Sequence, residues 1–245
     1  TDNNGVVITN NAIQSADKSV AFSEMYKHED KVTSYLLFVD PQNPEDDEFY
    51  VPRVITQIPL LKRKREIKER LFPDTTGKEN HNDIAIAYAL KLSGNGGVAV
   101  FCGRKDSADK ILYRFMELEN RGIDISAVAN SCEHEELKKI SYLIKSNLGE
   151  EALHAKAAEK GLFAHHSGLP ASVHSSEEYA MQKGYIKSIA CTSTLAQGVN
   201  LPIRYLVVSS IYQGKERISV RDFQNLIGRA GRSGMYTEGT IILTE

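Results

Sequence analysis

Tryptophan is absent from the 245 residues, and cysteine occurs only three times. Cys102, Cys132 and Cys191 stand far apart with no C-x-x-C pair. That spacing excludes a zinc ribbon or a disulfide framework and fits a reducing, cytoplasmic setting. No apolar run approaches the roughly 18 residues that a membrane span requires, and no signal-peptide pattern opens the chain. An excess of one charge is missing as well. Thirty basic against 32 acidic side chains leave −2, so a polyanion would have to meet a local patch, not a global field. The length suits one large domain or two small ones. The chain opens on Thr1 and its last strand-like segment runs to Glu245, so the expectation is a piece of something longer.

A phosphate-cradling loop is also lacking. A P-loop needs two glycines five apart followed by Lys and Ser/Thr, so that backbone N–H groups and a lysine surround the phosphates. Thr76-Gly77-Lys78-Glu79 has no upstream glycine at that spacing, and Glu79 stands where a Mg²⁺-binding hydroxyl belongs. Gly94-Asn95-Gly96-Gly97 precedes a strand instead of following one, so it is no dinucleotide fingerprint. The chain alone therefore does not hold ATP·Mg²⁺ in the usual way. No metal site is expected either. His165 and His166 are neighbours on a strand and point to opposite faces, and Cys132-Glu-His-Glu-Glu136 lacks a partner at metal-ligand spacing.

What is present divides near residue 80. Residues 1–33 are polar and weakly patterned, while Tyr35–Val39 and Phe49–Leu60 read as a hairpin around an acidic, proline-containing tip. Lys62 to Arg70 carries six basic residues in nine, either a solvated helix face or a phosphate-facing patch. From Asn82 onward helix and strand alternate. Helices are expected at Asn82–Ser93, from a Ser107 cap to Gly122, in two segments between Glu133 and Lys160, up to Lys183, and around Asp222–Ile227. Strands are expected at Val98–Cys102, Leu162–His165, Tyr185–Cys191, Tyr205–Ile211 and Thr240–Thr244. This alternation argues for an α/β fold with a mostly parallel sheet and helices on both faces, preceded by a hairpin and linker extension. Residues 1–80 are taken as that extension and 81–245 as the main domain.

Chemistry concentrates at the ends of those strands. Val100-Phe-Cys-Gly-Arg-Lys105 leaves one strand, Ala164-His-His-Ser-Gly-Leu-Pro170 a second, and Cys191-Thr-Ser-Thr-Leu-Ala-Gln-Gly-Val-Asn-Leu-Pro202 a third. Hydroxyls and backbone amides at strand C-termini are well placed to grip phosphates. Asp222-Phe-Gln-Asn-Leu-Ile-Gly-Arg-Ala-Gly-Arg-Ser-Gly234 adds Arg229 and Arg232, three apart and each preceded by glycine. Two guanidinium forks so placed suit a phosphoryl transition state, where charge builds on the oxygens, and Gln224 offers an amide to a base or a water. A glycine-flanked helix end with two surface arginines is the plainer alternative.

Taken together, these segments resemble the second, C-terminal RecA-like domain of superfamily 2 DExD/H-box helicases, with the Ski-like DExH group most similar. The signatures of that group read approximately H-H-A-G-L, A-T-S-T-L-A-x-G-V-N-L-P and Q-x-x-G-R-A-G-R, and the likeness runs over residues 82–245. The resemblance implies an ATP-dependent helicase, with ATP and Mg²⁺ held mainly by an upstream RecA-like domain of the same parent chain. It implies contacts to RNA or DNA, single-stranded, from Gly103, Arg104, Lys105, His166, Gly168, Thr192 and Ser193. Gly198 and Asn200 would lie on the ATP side, with Gln224, Arg229 and Arg232 acting on the γ-phosphate. His174 stands where the group has an arginine, which weakens one phosphate contact or makes it pH-sensitive. Ile211–Ile218 suggests a short hairpin of the kind that related processive enzymes use to part a duplex, or a plain turn. Two other readings fit the same residues: a non-enzymatic nucleic-acid clamp or docking module, and the motor portion of a nuclease or restriction subunit.

Overall fold

The computed structural model describes residues 5–9, 32–39, 49–64, 66, 70–74, 80–193, 201–231 and 239–244. Strands β1 (Gly5–Thr9), β2 (Val32–Val39), β3 (Phe49–Thr56), β4 (Ile58–Pro59) and β5 (Leu71–Phe72) precede helix α1 (Asn80–Leu92). Then come β6 (Val98–Phe101), α2 (Lys105–Asn120), α3 (Ser126–Asn130), α4 (His134–Leu148), α5 (Leu153–Glu159), β7 (Leu162–His165), α6 (Ala171–Gln182) and β8 (Ser188–Cys191). The chain continues through β9 (Tyr205–Val208), β10 (Tyr212–Gln213), β11 (Glu216–Arg217), α7 (Val220–Ile227) and β12 (Gly239–Leu243). Eight strands form one sheet in the order β3-β2-β1-β12-β9-β6-β8-β7. Every pairing from β1 to β7 is parallel, and the β2–β3 hairpin extends the sheet antiparallel. This is an α/β fold of RecA-like type with the expected N-terminal hairpin.

Strands β6, β7 and β8 are buried along their whole length, as parallel strands covered on both faces must be. Side chains alternate between two cores. Val98, Val100, Ala164 and Val207 pack with Ile84 and Tyr88 of α1 and Ile111, Leu112 and Phe115 of α2. Ala99, Phe101, Phe163, Ile189 and Val208 pack with Ile140 and Ile144 of α4, Met181 of α6 and Leu226 of α7. The period of two along each strand thus assigns one face of the sheet to α1 and α2 and the other to α4, α6 and α7.

Several local expectations are corrected. Ser107 lies inside the first turn of α2 and does not cap it, because the helix starts at Lys105 with Arg104 as its unassisted cap. The short helix α3 was not anticipated, and Gly5–Thr9, read as weakly patterned, forms a strand beside β12. The described part of the basic run, residues 62–64, 66 and 70, is not helical. Charge pairing explains its placement. Arg121, almost fully buried, donates from Nε to the Leu61 carbonyl at 2.7 Å and from Nη2 to Glu66 at 2.9 Å, and Arg63 pairs with Glu117.

A second clamp fixes α1 to α2. Arg114 donates to both Asp83 oxygens, at 2.7 and 2.8 Å, and Asp83 also accepts the Asp74 N–H at 3.0 Å. Asp83 is 4% exposed, so removing it leaves the Arg114 guanidinium, in a poorly solvated place, with Glu117 at 3.0 Å as its remaining carboxylate. Asp83→Ala is expected to cost about 3 kcal/mol in urea unfolding, at the low end for a broken buried pair. A loss below about 1 kcal/mol would show the pair to be solvated.

Glu177, on the buried side of α6, is 1% exposed, and its Oε2 has no hydrogen-bond partner among the described residues. Burial, and next the neighbouring Glu178, push its carboxyl well above the usual carboxylate range. The folded chain then keeps a proton that the unfolded chain has lost, so this group makes stability fall as pH rises above about 4.5. Glu177→Gln should flatten that fall in urea midpoints measured from pH 5 to 8. An unchanged slope would contradict the assignment.

Candidate nucleic-acid and nucleotide surfaces

Parallel pairing sets Phe101, His165, Cys191 and Val208 side by side, so four strands end together. Backbone bonds carry the ladder one step further: Cys102 N–H to Cys191, Thr192 N–H to His165 and Ser209 N–H to Phe101, at 2.7, 3.2 and 3.0 Å. The expected strand-end residues are therefore neighbours. Arg104, Lys105 and Gly168 are exposed, Gly103 and Ser193 half-buried, and Thr192 and His166 buried. Lys105 and Gly168 come together from different segments: a Cβ built on Gly168 would lie 3.8 Å from Lys105 Cδ. Arg104 is engaged with Asp106 at 3.2 Å, a surface pair that a phosphate would compete with.

Gly103 has a structural reason to lack a side chain. A Cβ there would stand 1.6 Å from the Tyr212 carbonyl, because β10 packs directly on it. The hairpin suggested for Ile211–Ile218 is present as antiparallel β10 and β11, turning at Gly214 with a φ of +78°. It roofs the end of β6.

The loop after β7 is held from below. The His166 ring nitrogen Nε2 lies 3.1 Å from Asp109 Oδ1, and its Nδ1 accepts the Gly168 N–H at 3.2 Å. His174 turns inward, donating Nε2–H to the His166 carbonyl at 2.7 Å and stacking on the His165 ring at 4.5 Å. His165 in turn meets Glu178 at 2.8 Å, and burial holds its imidazole below the usual histidine range. His165 and His166 do face opposite ways, toward α6 and α2 respectively. Asp109, His154, Glu178, Ser209 and Tyr212 were missed by sequence reading. None carries a motif signal, since each is brought in from a separate element.

The arginine segment ends elsewhere. Helix α7 starts at a Ser219 cap, whose Oγ accepts the Asp222 N–H at 3.1 Å, and runs back along the sheet. It exposes Gln224 and buries Leu226. After it, Ala230 forms a parallel bridge with Ile203, and the Gly231 N–H donates to the Ile203 carbonyl at 2.9 Å. Ile203 precedes β9, so the half-buried Arg229 sits toward the opposite edge of the sheet from Ser209. Thr192 and Leu201 likewise stand at opposite ends of the strands, because Pro202 packs against Gly97 at the start of β6. The distal ends of these two segments therefore meet. Gly198, Asn200 and Arg232 lie outside the described residues. So do Thr76–Glu79, the tip between β2 and β3, and the middle of the Thr192–Leu201 crossing.

Fold and strand-end edge thus define an α/β protein of RecA-like type. No family model matches the chain. It is 29% identical over 203 residues to Hachiman protein HamB of Bacillus cereus, covering 79% of this chain and 17% of that protein. It is 40% identical over 174 residues to Helicase POLQ-like of Caenorhabditis elegans, covering 70% of this chain and 18% of that protein. It is 31% identical over 168 residues to ATP-dependent DNA helicase Hel308 of Pyrobaculum calidifontis, covering 66% of this chain and 23% of that protein. The chain is related to helicases of the DExH, superfamily 2 kind, and spans less than a quarter of the length of these relatives. No described helix is long and apolar enough to cross a membrane.

The packing of β10 on Gly103 makes a stability prediction. Gly103→Ala should cost about 1–3 kcal/mol by forcing the hairpin off its seat. Gly94→Ala, with open space around it, should cost well under that. Equal losses in chemical unfolding would contradict the tight approach.

Proposed function

We propose that the chain is the C-terminal RecA-like motor domain of a Ski-like DExH helicase, operating inside the cell. Residues 81–245 form the domain and residues 1–80 its inter-domain extension. ATP and Mg²⁺ bind mainly to an upstream RecA-like domain of the whole protein and are completed here by Gly198, Asn200, Gln224, Arg229 and Arg232. The two arginines act as fingers on the γ-phosphate, where transition-state charge accumulates. Gly103, Arg104, Lys105, His166, Gly168, Thr192 and Ser193 serve a single nucleic-acid strand. Contacts go to the phosphate backbone, so binding is sequence-tolerant and weakens as salt rises.

The observation that carries this reading is the separation of two surfaces by one sheet. Exposed Lys105 and Gly168 lie with Thr192 and Ser193 at the strand ends, whereas Arg229 and the Leu201 end of the crossing segment lie toward the other edge. A segment anchored at both edges couples nucleotide-driven closure to a shift of the strand. The burial of His166 and Thr192 limits what their side chains reach, so their part is to hold backbone groups at the edge.

The test uses the whole protein. Arg229→Ala and Arg232→Ala should each lower strand-stimulated ATP turnover by about 10³-fold or more while leaving strand affinity nearly unchanged. Thr192→Ala should raise the strand concentration needed for stimulation. The 245-residue chain alone should show no turnover. Intact strand binding with no turnover in the wild-type protein would point to a clamp instead. Equal loss of binding and turnover in the arginine variants would overturn the finger assignment.

A further inference from the structure

Under the loop that leaves β7 lies a cluster of which the motor reading uses only His166. Asp109 on α2 meets two imidazoles with one oxygen: its Oδ1 is 3.1 Å from Nε2 of His166 and 2.9 Å from Nε2 of His154 on α5. The two rings stand edge to face, with centroids 5.6 Å apart. His166 is 3% exposed. His154 Nε2 is buried and, despite its distance from Asp109, is not aligned for a hydrogen bond.

The backbone contact shows which ring nitrogen of His166 carries the proton. An amide N–H can only donate, and Gly168 N–H points at His166 Nδ1 from 3.2 Å. Nδ1 is then an acceptor, so the proton sits on Nε2 and is donated to Asp109. Asp109, His154 and His166 are a group among the described residues whose donor atoms lie close enough to share a cation. A metal on His166 Nε2, however, needs the proton on Nδ1, where it would collide with the Gly168 N–H. The geometry favours a proton.

Building on the strand-binding reading above, we infer that Asp109 is a positioning residue for the nucleic-acid edge. It locks His166 in the Nε2–H form, and that form alone leaves Nδ1 free to hold Gly168. The carbonyl of His166 is tied separately, by His174 Nε2–H at 2.7 Å and by the Leu169 N–H at 3.1 Å. Ring and carbonyl are thus anchored on opposite sides, and exposed Ser167-Gly168 is preformed beside Lys105 instead of being ordered on binding.

The test has two arms on the 245-residue chain. Long-range ¹H–¹⁵N correlation spectra of histidine-labelled protein should show His166 as the Nε2–H tautomer. Asp109→Leu should lose that signature, and Asp109→Asn, which keeps an acceptor, should restore it. A wild-type Nδ1–H tautomer, or one induced by stoichiometric ZnCl₂ together with shifts of His154, would overturn the inference in favour of a metal site. This arm needs no ligand and stands whatever the strand reading does. In the second arm, oligo-dT and oligo-U affinities should fall about tenfold in Asp109→Leu, the cost of one lost anchored hydrogen bond, and stay within about threefold in Asp109→Asn. Unchanged affinity with the tautomer lost would overturn the positioning role. No strand binding by wild type with the tautomer present would sink the strand reading, and the role with it.

Discussion

The parallel register of β6 is the constraint on which the rest depends. Phe101 pairs with Cys191 on one side and Val208 on the other, and His165 pairs with Cys191 in turn. Because all four strands run the same way, every chain that leaves them does so at one edge. Side chains far apart in sequence thereby become neighbours. Parallel strands also demand cover on both faces, and the two helical layers supply it.

A second consequence follows from chain continuity. A segment that leaves at one edge and must enter the next parallel strand has to return to the other edge. Between β8 and β9 no described helix makes that return, and the crossing from Thr192 reaches Leu201 and Ile203, both buried. Helix α7 returns alongside, and Ala230 bridges Ile203. Polar edge and arginine end are thereby joined along the chain, Thr192 to Leu201 on one path and Ser219 to Ala230 on the other.

Much of the fold was legible because strands buried on both faces read as continuous apolar runs, as in Val98-Ala-Val-Phe101 and Tyr205-Leu-Val-Val208. The helix limits expected at Lys160 and Lys183 are the observed caps, each followed by a glycine with positive φ, Gly161 and Gly184. Ser107 misled because a serine can sit in a first turn as easily as at a cap. The basic run misled because the partner that places Glu66, Arg121, is 55 residues away. The same limit applies at the site. Strand-end motifs are contiguous and could be found, but Asp109, His154 and His166 come from α2, α5 and a loop, and only the packing of those elements brings them together. His174 read as a weakened phosphate contact, yet its ring is committed to the loop beneath.

The central claim is that one edge of the sheet meets the nucleic-acid strand and the other meets the nucleotide. Mapping photo-crosslinks in the whole protein tests this directly, using strands carrying 4-thiouridine or 4-thiothymidine in one reaction and 8-azido-ATP in another. The account predicts strand crosslinks on peptides containing Gly103–Lys105, Ser167–Leu169 and Thr192–Ser193, and nucleotide crosslinks on the peptide containing Gln224 to Gly231. Strand crosslinks concentrated on the Gln224–Gly231 peptide, or both probes on the same edge, would contradict it.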